Sequence, residues 1–174
     1  TRDDGWRLLS IGRLIERLGT LSTSLAHAFA TGAVHEAGGF AALLTLADST
    51  ITFHAQYQQR RDVPALLDLL VLDPENPRSL ACVISSLRGR LDRLRARAGA
   101  DLPDLAVNLP DPGDWRIGDF WSAAESAAAA PDEPHRSAHA FAQLAQAAAD
   151  LSNTVGRRYF SHSATDSQSH TVGA

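Results

Sequence analysis

The stretch GRLIERLGTLSTSLAHAF, residues 12–29, decides the fold. Leu14, Leu18, Leu21, Leu25 and Phe29 recur in it at steps of four, three, four and four, the period of an α-helix with one buried stripe. Asp3 and Asp4 supply an N-terminal cap for a helix that begins near Trp6. The opposite side carries Leu9, Gly12, Glu16, Gly19 and Thr23, small residues around one carboxylate. Two faces covered by neighbours would make this first helix central.

Downstream, the helical period returns between turn signals. Gly32 and Gly38-Gly39 break the chain, and Phe40, Leu43, Leu44, Ala47, Ile51 and Ala55 predict a second helix reaching about Gln59. Asp62-Val63-Pro64 starts the apolar run Ala65 to Leu72, read as helix rather than strand because it is rich in leucine and has no partner strand. Asn76 as cap and Pro77 at the first position predict a fourth helix to Ala98, with Leu80, Val83, Ile84, Leu87, Leu91 and Leu94 inward. Ala100 to Gly113 reads as a long loop, and a fifth helix is expected from Asp114 to Ala130, including Trp115, Phe120 and Trp121. Phe141, Leu144, Ala148, Leu151 and Val155 define a sixth, fading near Tyr159-Phe160. The expected architecture is all-α, about six helices in one domain over residues 1–160 with no sheet and no internal repeat; residues 161–174, rich in Ser, Thr and His, read as a disordered tail.

Composition narrows function by exclusion. The 174 residues carry a net charge of −4, without the basic excess expected of nucleic-acid or anionic-membrane binding. All sixteen basic residues are arginine, so Schiff-base and phosphate-loop lysines are absent. The single Cys82 permits neither an internal disulfide nor a cysteine-rich zinc site, which fits the cytoplasm, and it reads as a small residue on an apolar helix. No run approaches a bilayer span, and the opening Thr1-Arg2-Asp3-Asp4 carries no signal segment. The lack of methionine points to removal of an initiator or to a piece of a longer polypeptide. No phosphate loop, dinucleotide fingerprint or serine-hydrolase elbow occurs, and no cofactor is implied.

Four clusters carry candidate chemistry. Glu16, set between Gly12 and Gly19 on a face read as covered, needs a partner if buried, and Arg13 lies one turn away. Glu16 reads as a general acid/base beside an anion-holding arginine, as a receiver of a ligand's cationic group, or as half of a pair that locks helix packing. Asn76-Pro77-Arg78-Ser79 reads as an anion-binding corner or a rigid turn, braced by Asp73. Arg88, Arg90, Arg93, Arg95 and Arg97 form a stripe without interleaved aromatics, the pattern of a solvated surface. His135 and His139 have metal-sharing spacing but no third ligand, and His54 reads as a packing histidine.

Arg2-Asp3-Asp4-Gly5-Trp6 leading to Gly12-Arg13 and Glu16-Arg17, followed by Leu70-Val71-Leu72-Asp73-Pro74-Glu75-Asn76-Pro77-Arg78-Ser79, together resemble the alpha-E domain family. That bacterial family is all-helical and is often encoded beside or fused to circularly permuted ATP-grasp proteins and transglutaminase-like peptidases. The resemblance implies a role in amide-bond or peptide modification. It runs from Arg2 to Ala98 and marks Trp6, Gly12, Arg13, Glu16, Arg17, Asp73, Asn76, Pro77, Arg78 and Ser79. A full domain of the family holds two related halves, and this chain resembles the later one. An accessory module that binds an ATP-grasp ligase or its peptide substrate is therefore expected. Its partner surface would be supplied by that ligase, by the missing half or by a second copy. An enzyme using Glu16 and a plain scaffold are the alternatives.

Overall fold

The computed structural model describes residues 2–58, 60–99, 102–123 and 136–160, with side chains from Gly5 onward. Six helices make up the described chain: α1 (Arg2–Thr31), α2 (Ala37–Leu46), α3 (Thr50–Tyr57), α4 (Val63–Leu67), α5 (Leu80–Ala98) and α6 (Arg136–Phe160). Among the described residues there is no strand. The residues read as a disordered tail, 161–174, lie outside the described residues, as do Gln59, Ala100 and 124–135.

Helix α1 is central, as its pattern predicts. Leu18, Leu21, Leu25 and Phe29 are buried, joined by Ile11, Ile15 and Ala28, while Leu14 is half-buried at the margin. One side of α1 packs along α6 and another against α5. Phe29 meets Phe141 with ring centroids 5.5 Å apart, and a Cβ placed on Gly19 would stand 3.6 Å from that of Ala148. The end of α1 therefore lies beside the beginning of α6, so the two run antiparallel. The expected stripes hold on both long partners: Val83, Ile84, Leu87, Leu91 and Leu94 are buried on α5, and Phe141, Leu144, Ala148, Leu151 and Val155 on α6.

The second expected helix is two helices. The chain breaks at Asp48, whose φ of 48° lies in the left-handed region. Asp48 N–H donates to the Thr45 carbonyl (2.9 Å) and Ser49 N–H to that of Leu44 (2.8 Å), the paired bonds of a Schellman C-cap. Aspartate tolerates this position better than most side chains because it is short and polar. The break turns Ile51 out to 86% exposure and exposes Ala55, both expected inside, and rotates Phe53 into the core against Phe40.

Helix α4 and the π-turn that extends it, Asp68–Leu72, confirm the apolar run as helical. Leu66, Leu67, Leu69 and Leu70 are wholly buried, so the run's leucines are covered on more than one face and only Asp68 within it is exposed. Tyr57 donates to the Asp68 carboxylate and ties α3 to this turn.

The fifth expected helix does not begin at Asp114. Residues 112–120 form 3₁₀ turns at Pro112–Asp114 and Ile117–Asp119, closed by Arg116 N–H donating to the Asp119 carboxylate (2.7 Å). Trp115 packs edge-on against Phe120, and Phe120 stacks on Phe141, so these aromatics cover the core without helical periodicity. The preceding loop is also packed: Leu102, Ala106 and Leu109 are buried, and Arg88 donates to the Leu109 carbonyl at 2.6 Å.

Two predictions follow from these contacts. A Cβ on Gly39 would lie 2.0 Å from the Ala33 carbonyl oxygen, whereas one on Gly38 meets nothing within 4 Å. Gly39→Ala should lower stability by about 1–3 kcal/mol, and Gly38→Ala should leave it unchanged or raise it by up to about 1 kcal/mol; urea unfolding reads the contrast. Burial and the adjoining Asp68 push the Tyr57 hydroxyl above the ordinary tyrosine range. The unfolded chain then releases this proton at lower pH than the folded one, so Tyr57 contributes stability that declines as pH rises above the ordinary tyrosine value of 10.0. Tyr57→Phe should flatten that decline in thermal melts across alkaline pH.

Candidate functional site

On the flank of α1 that faces neither α5 nor α6, an open cleft of about 390 Å³ is lined by Arg13, Glu16, Arg17, Thr20, Leu21, Leu46, Ala47, Asp48 and Arg78. Helix α1 provides the floor, since Arg13, Glu16, Arg17 and Thr20 follow one another at steps of three or four. The Schellman turn after α2 provides one wall and the corner before α5 the other.

The expectation of a dry niche for Glu16 is overturned: its side chain is exposed, and so is Arg13. Neither has a hydrogen bond or ion pair among the described residues, so the expected Arg13–Glu16 lock is absent. The reason lies with the glycines. Gly19 does admit α6, but a Cβ on Gly12 would meet nothing within 4 Å, so no neighbour covers that part of the helix. Arg17 Nη1 makes a long contact of 3.5 Å to the Pro77 carbonyl oxygen, and Arg78 pairs with Asp48 across the walls. Both members of that pair are solvent-exposed, which limits it to about 1 kcal/mol at most.

The corner itself is spent on holding the chain. The cap of α5 is Ser79, not Asn76: its hydroxyl accepts from Cys82 N–H (3.1 Å) and donates to the Asp73 carbonyl. Buried Asn76 donates to the Leu69 carbonyl (2.9 Å) and accepts from Arg78 N–H (3.1 Å). Asp73 accepts from Glu75 N–H at 2.9 Å. The helix therefore starts at Leu80 because Asn76 binds the π-turn behind it and leaves capping to the serine. Asp73, Asn76 and Ser79 do not line the cleft; of the four corner candidates only Arg78 reaches it. Trp6 stands 65% exposed nearer the start of α1, outside the lining.

The sequence reading missed Asp48, Thr20 and Leu46. The apolar period runs through Asp48 without a break, and no glycine marks the turn that brings it out. The arginine stripe of α5 is partly spent on the loop: Arg88 holds Leu109, and Arg95 lies 3.6 Å from Asp104. His139 and His54 are exposed, Cys82 is half-buried and in no disulfide, and His135 lies outside the described residues. Among the described residues, no three of His, Cys, Asp or Glu gather as a metal site would require, and no helix is long and apolar enough to cross a membrane.

Fold and cleft together define an all-α domain whose central helix presents a Glu-Arg pair at a basic opening. The chain belongs to the Alpha-E family, described as a predicted alpha-helical domain with a conserved ER motif, whose model matches residues 1–160. Glu16-Arg17 is the only Glu-Arg step in the sequence, which places that motif on the cleft floor. A stretch of 109 residues is 31% identical to Uncharacterized protein Rv2567 of Mycobacterium tuberculosis and to Uncharacterized protein Mb2597 of Mycobacterium bovis. It covers 61% of this chain but 12% of each relative, so the chain spans a small part of the curated relatives it matches. No solved structure matches.

The corner and the cleft should separate under mutation. Asn76→Ala leaves the Leu69 carbonyl without its donor and should cost about 1–3 kcal/mol, whereas Arg78→Gln should change stability by no more than about 1 kcal/mol. Chemical unfolding of the two variants compares them directly.

Proposed function

We propose that this Alpha-E domain is an accessory binding module of an ATP-grasp-type amide ligase or peptide-modification system, and that it holds the enzyme or its peptide substrate at the cleft of Arg13, Glu16 and Arg17. The observation that carries this reading is the position of Glu16-Arg17: the pair after which the family's motif is described sits on an open floor rather than in the core. Charged side chains that neither pair internally nor cap a helix contribute little to the fold, so their placement is better explained by what they meet outside it. The link to ATP-grasp ligases and peptide modification rests on what the family resemblance implies. The small share of each long relative that this domain matches agrees with a module working within a larger protein.

The enzyme alternative draws on the same cleft, which unites Glu16 with Arg13 and Arg78. Against it, general acid/base chemistry needs a carboxylate held in position and shielded from water, and Glu16 is neither.

The test is titration calorimetry of this domain against the ATP-grasp protein of the same genome. Arg13→Gln with Arg17→Gln should weaken binding at least tenfold while circular dichroism and melting temperature stay close to wild type. Arg90→Gln with Arg93→Gln, exposed on α5, should leave affinity unchanged. Failure of the wild-type domain to bind, or equal weakening by both pairs, sinks the docking reading.

A further inference from the structure

The chemistry of the cleft is more specific than its sign. Its charged lining comprises three arginines and two carboxylates, one positive charge in excess. Asp48 and Arg78 satisfy each other, which leaves Arg13 and Arg17 facing Glu16. Arg13 and Arg17 are one helical turn apart, a spacing at which like charges repel and which an anion between them would relieve. Guanidinium groups suit a carboxylate or a phosphate through paired N–H donors. Glu16 decides between the two: a negative charge beside the anion site penalises a doubly charged phosphate more than a singly charged carboxylate. The same carboxylate can accept from an N–H next to the bound anion. Beyond it, Leu21, Leu46 and Ala47 form an apolar wall, and Leu46 is half exposed at 50%, an uncovered apolar surface at the rim.

We propose that the cleft binds the carboxylate end of a peptide whose last residue is aliphatic. Arg13 and Arg17 hold the carboxylate, Glu16 accepts from the terminal amide N–H, and the side chain lies on Leu46 and Ala47. Arg17 reaches the bound group from beside the Pro77 carbonyl, and Arg13 closes on it from one turn earlier. This deepens the module reading above and rests on it for biological meaning, but its chemistry can be tested alone.

The experiment is nuclear magnetic resonance titration of the whole chain with N-acetyl-leucine, N-acetyl-leucinamide, 4-methylpentanoate and inorganic phosphate. N-acetyl-leucine should shift the backbone amides of residues 13–20 and 46–48 and bind at least tenfold more tightly than N-acetyl-leucinamide, which lacks the carboxylate. It should also outbind 4-methylpentanoate, which lacks the N–H, and that advantage should disappear in Glu16→Ala, which removes the acceptor. Arg13→Gln and Arg17→Gln should each cost tenfold or more; both positions are exposed, and the comparison of probes on the unmodified chain needs no variant. Equal binding of acid and amide overturns the proposal, as does phosphate binding tighter than N-acetyl-leucine, or shifts confined to other residues. If the arginine variants lose the ATP-grasp protein while N-acetyl-leucine never binds, docking stands and the carboxylate site falls. If N-acetyl-leucine binds as described and no ATP-grasp protein does, the reverse holds.

Discussion

The structure depends on α1 being packed along two of its sides at once. Leu18 and Leu25 have no exposed surface, and the chain reaches this only by laying α5 along one flank and α6, antiparallel, along another. Each such leucine contributes about 1.5–3 kcal/mol of burial, and the close approach at Gly19 lets α6 lie against the helix rather than stand off it. With these two sides committed, the side bearing Arg13 and Glu16 has no third long helix to cover it. The open floor of the cleft is thus a consequence of the core, carried on the most firmly held element of the domain, where side chains are best fixed relative to one another.

The walls divide polar groups between two duties. In the corner before α5, Asn76 and Ser79 direct their hydrogen bonds inward, to the π-turn, the helix start and the Asp73 carbonyl, while the Asp73 side chain closes the turn on Glu75 N–H. Burial makes these bonds expensive to lose, which explains an Asn-Pro and Ser pattern without any ligand. On the floor, Arg13 and Glu16 direct nothing inward. Motif residues that are adjacent in sequence logic therefore serve different ends: one set builds the wall and the other faces the opening. Arg78 belongs to both, its backbone N–H bound to Asn76 and its guanidinium reaching Asp48.

Much of this was legible in sequence wherever long apolar periodicity met a clear stop. The stripes of α1, α5 and α6 were, and so was the helical nature of the leucine run at Ala65 to Leu72. What was not legible turned on single residues whose conformations are ambiguous. Asp48 ends α2 in a left-handed turn that usually announces itself by glycine. Asn76 and Ser79 are equally good caps by type, and only the carbonyl of Leu69, seven residues back from Asn76, decides between them. Trp115 and Phe120 suit a helix or a packed turn alike. The exposure of Glu16 was not legible because Gly12 and Gly19 look alike in sequence, whereas a small residue permits a neighbour without supplying one.

The cleft also has to work against the charge of the chain that carries it. The sequence is net negative by four, so an approaching anion meets repulsion at long range and attraction only near Arg13 and Arg17. At physiological salt the Debye length is about 8 Å, short enough for the arginines lining the opening to outweigh carboxylates elsewhere on the surface. Screening thus favours the local sign over the global one. A basic opening in an acidic domain is in consequence a contact site rather than a long-range attractor. It gains little from electrostatic steering of free anions and most from a group already brought close.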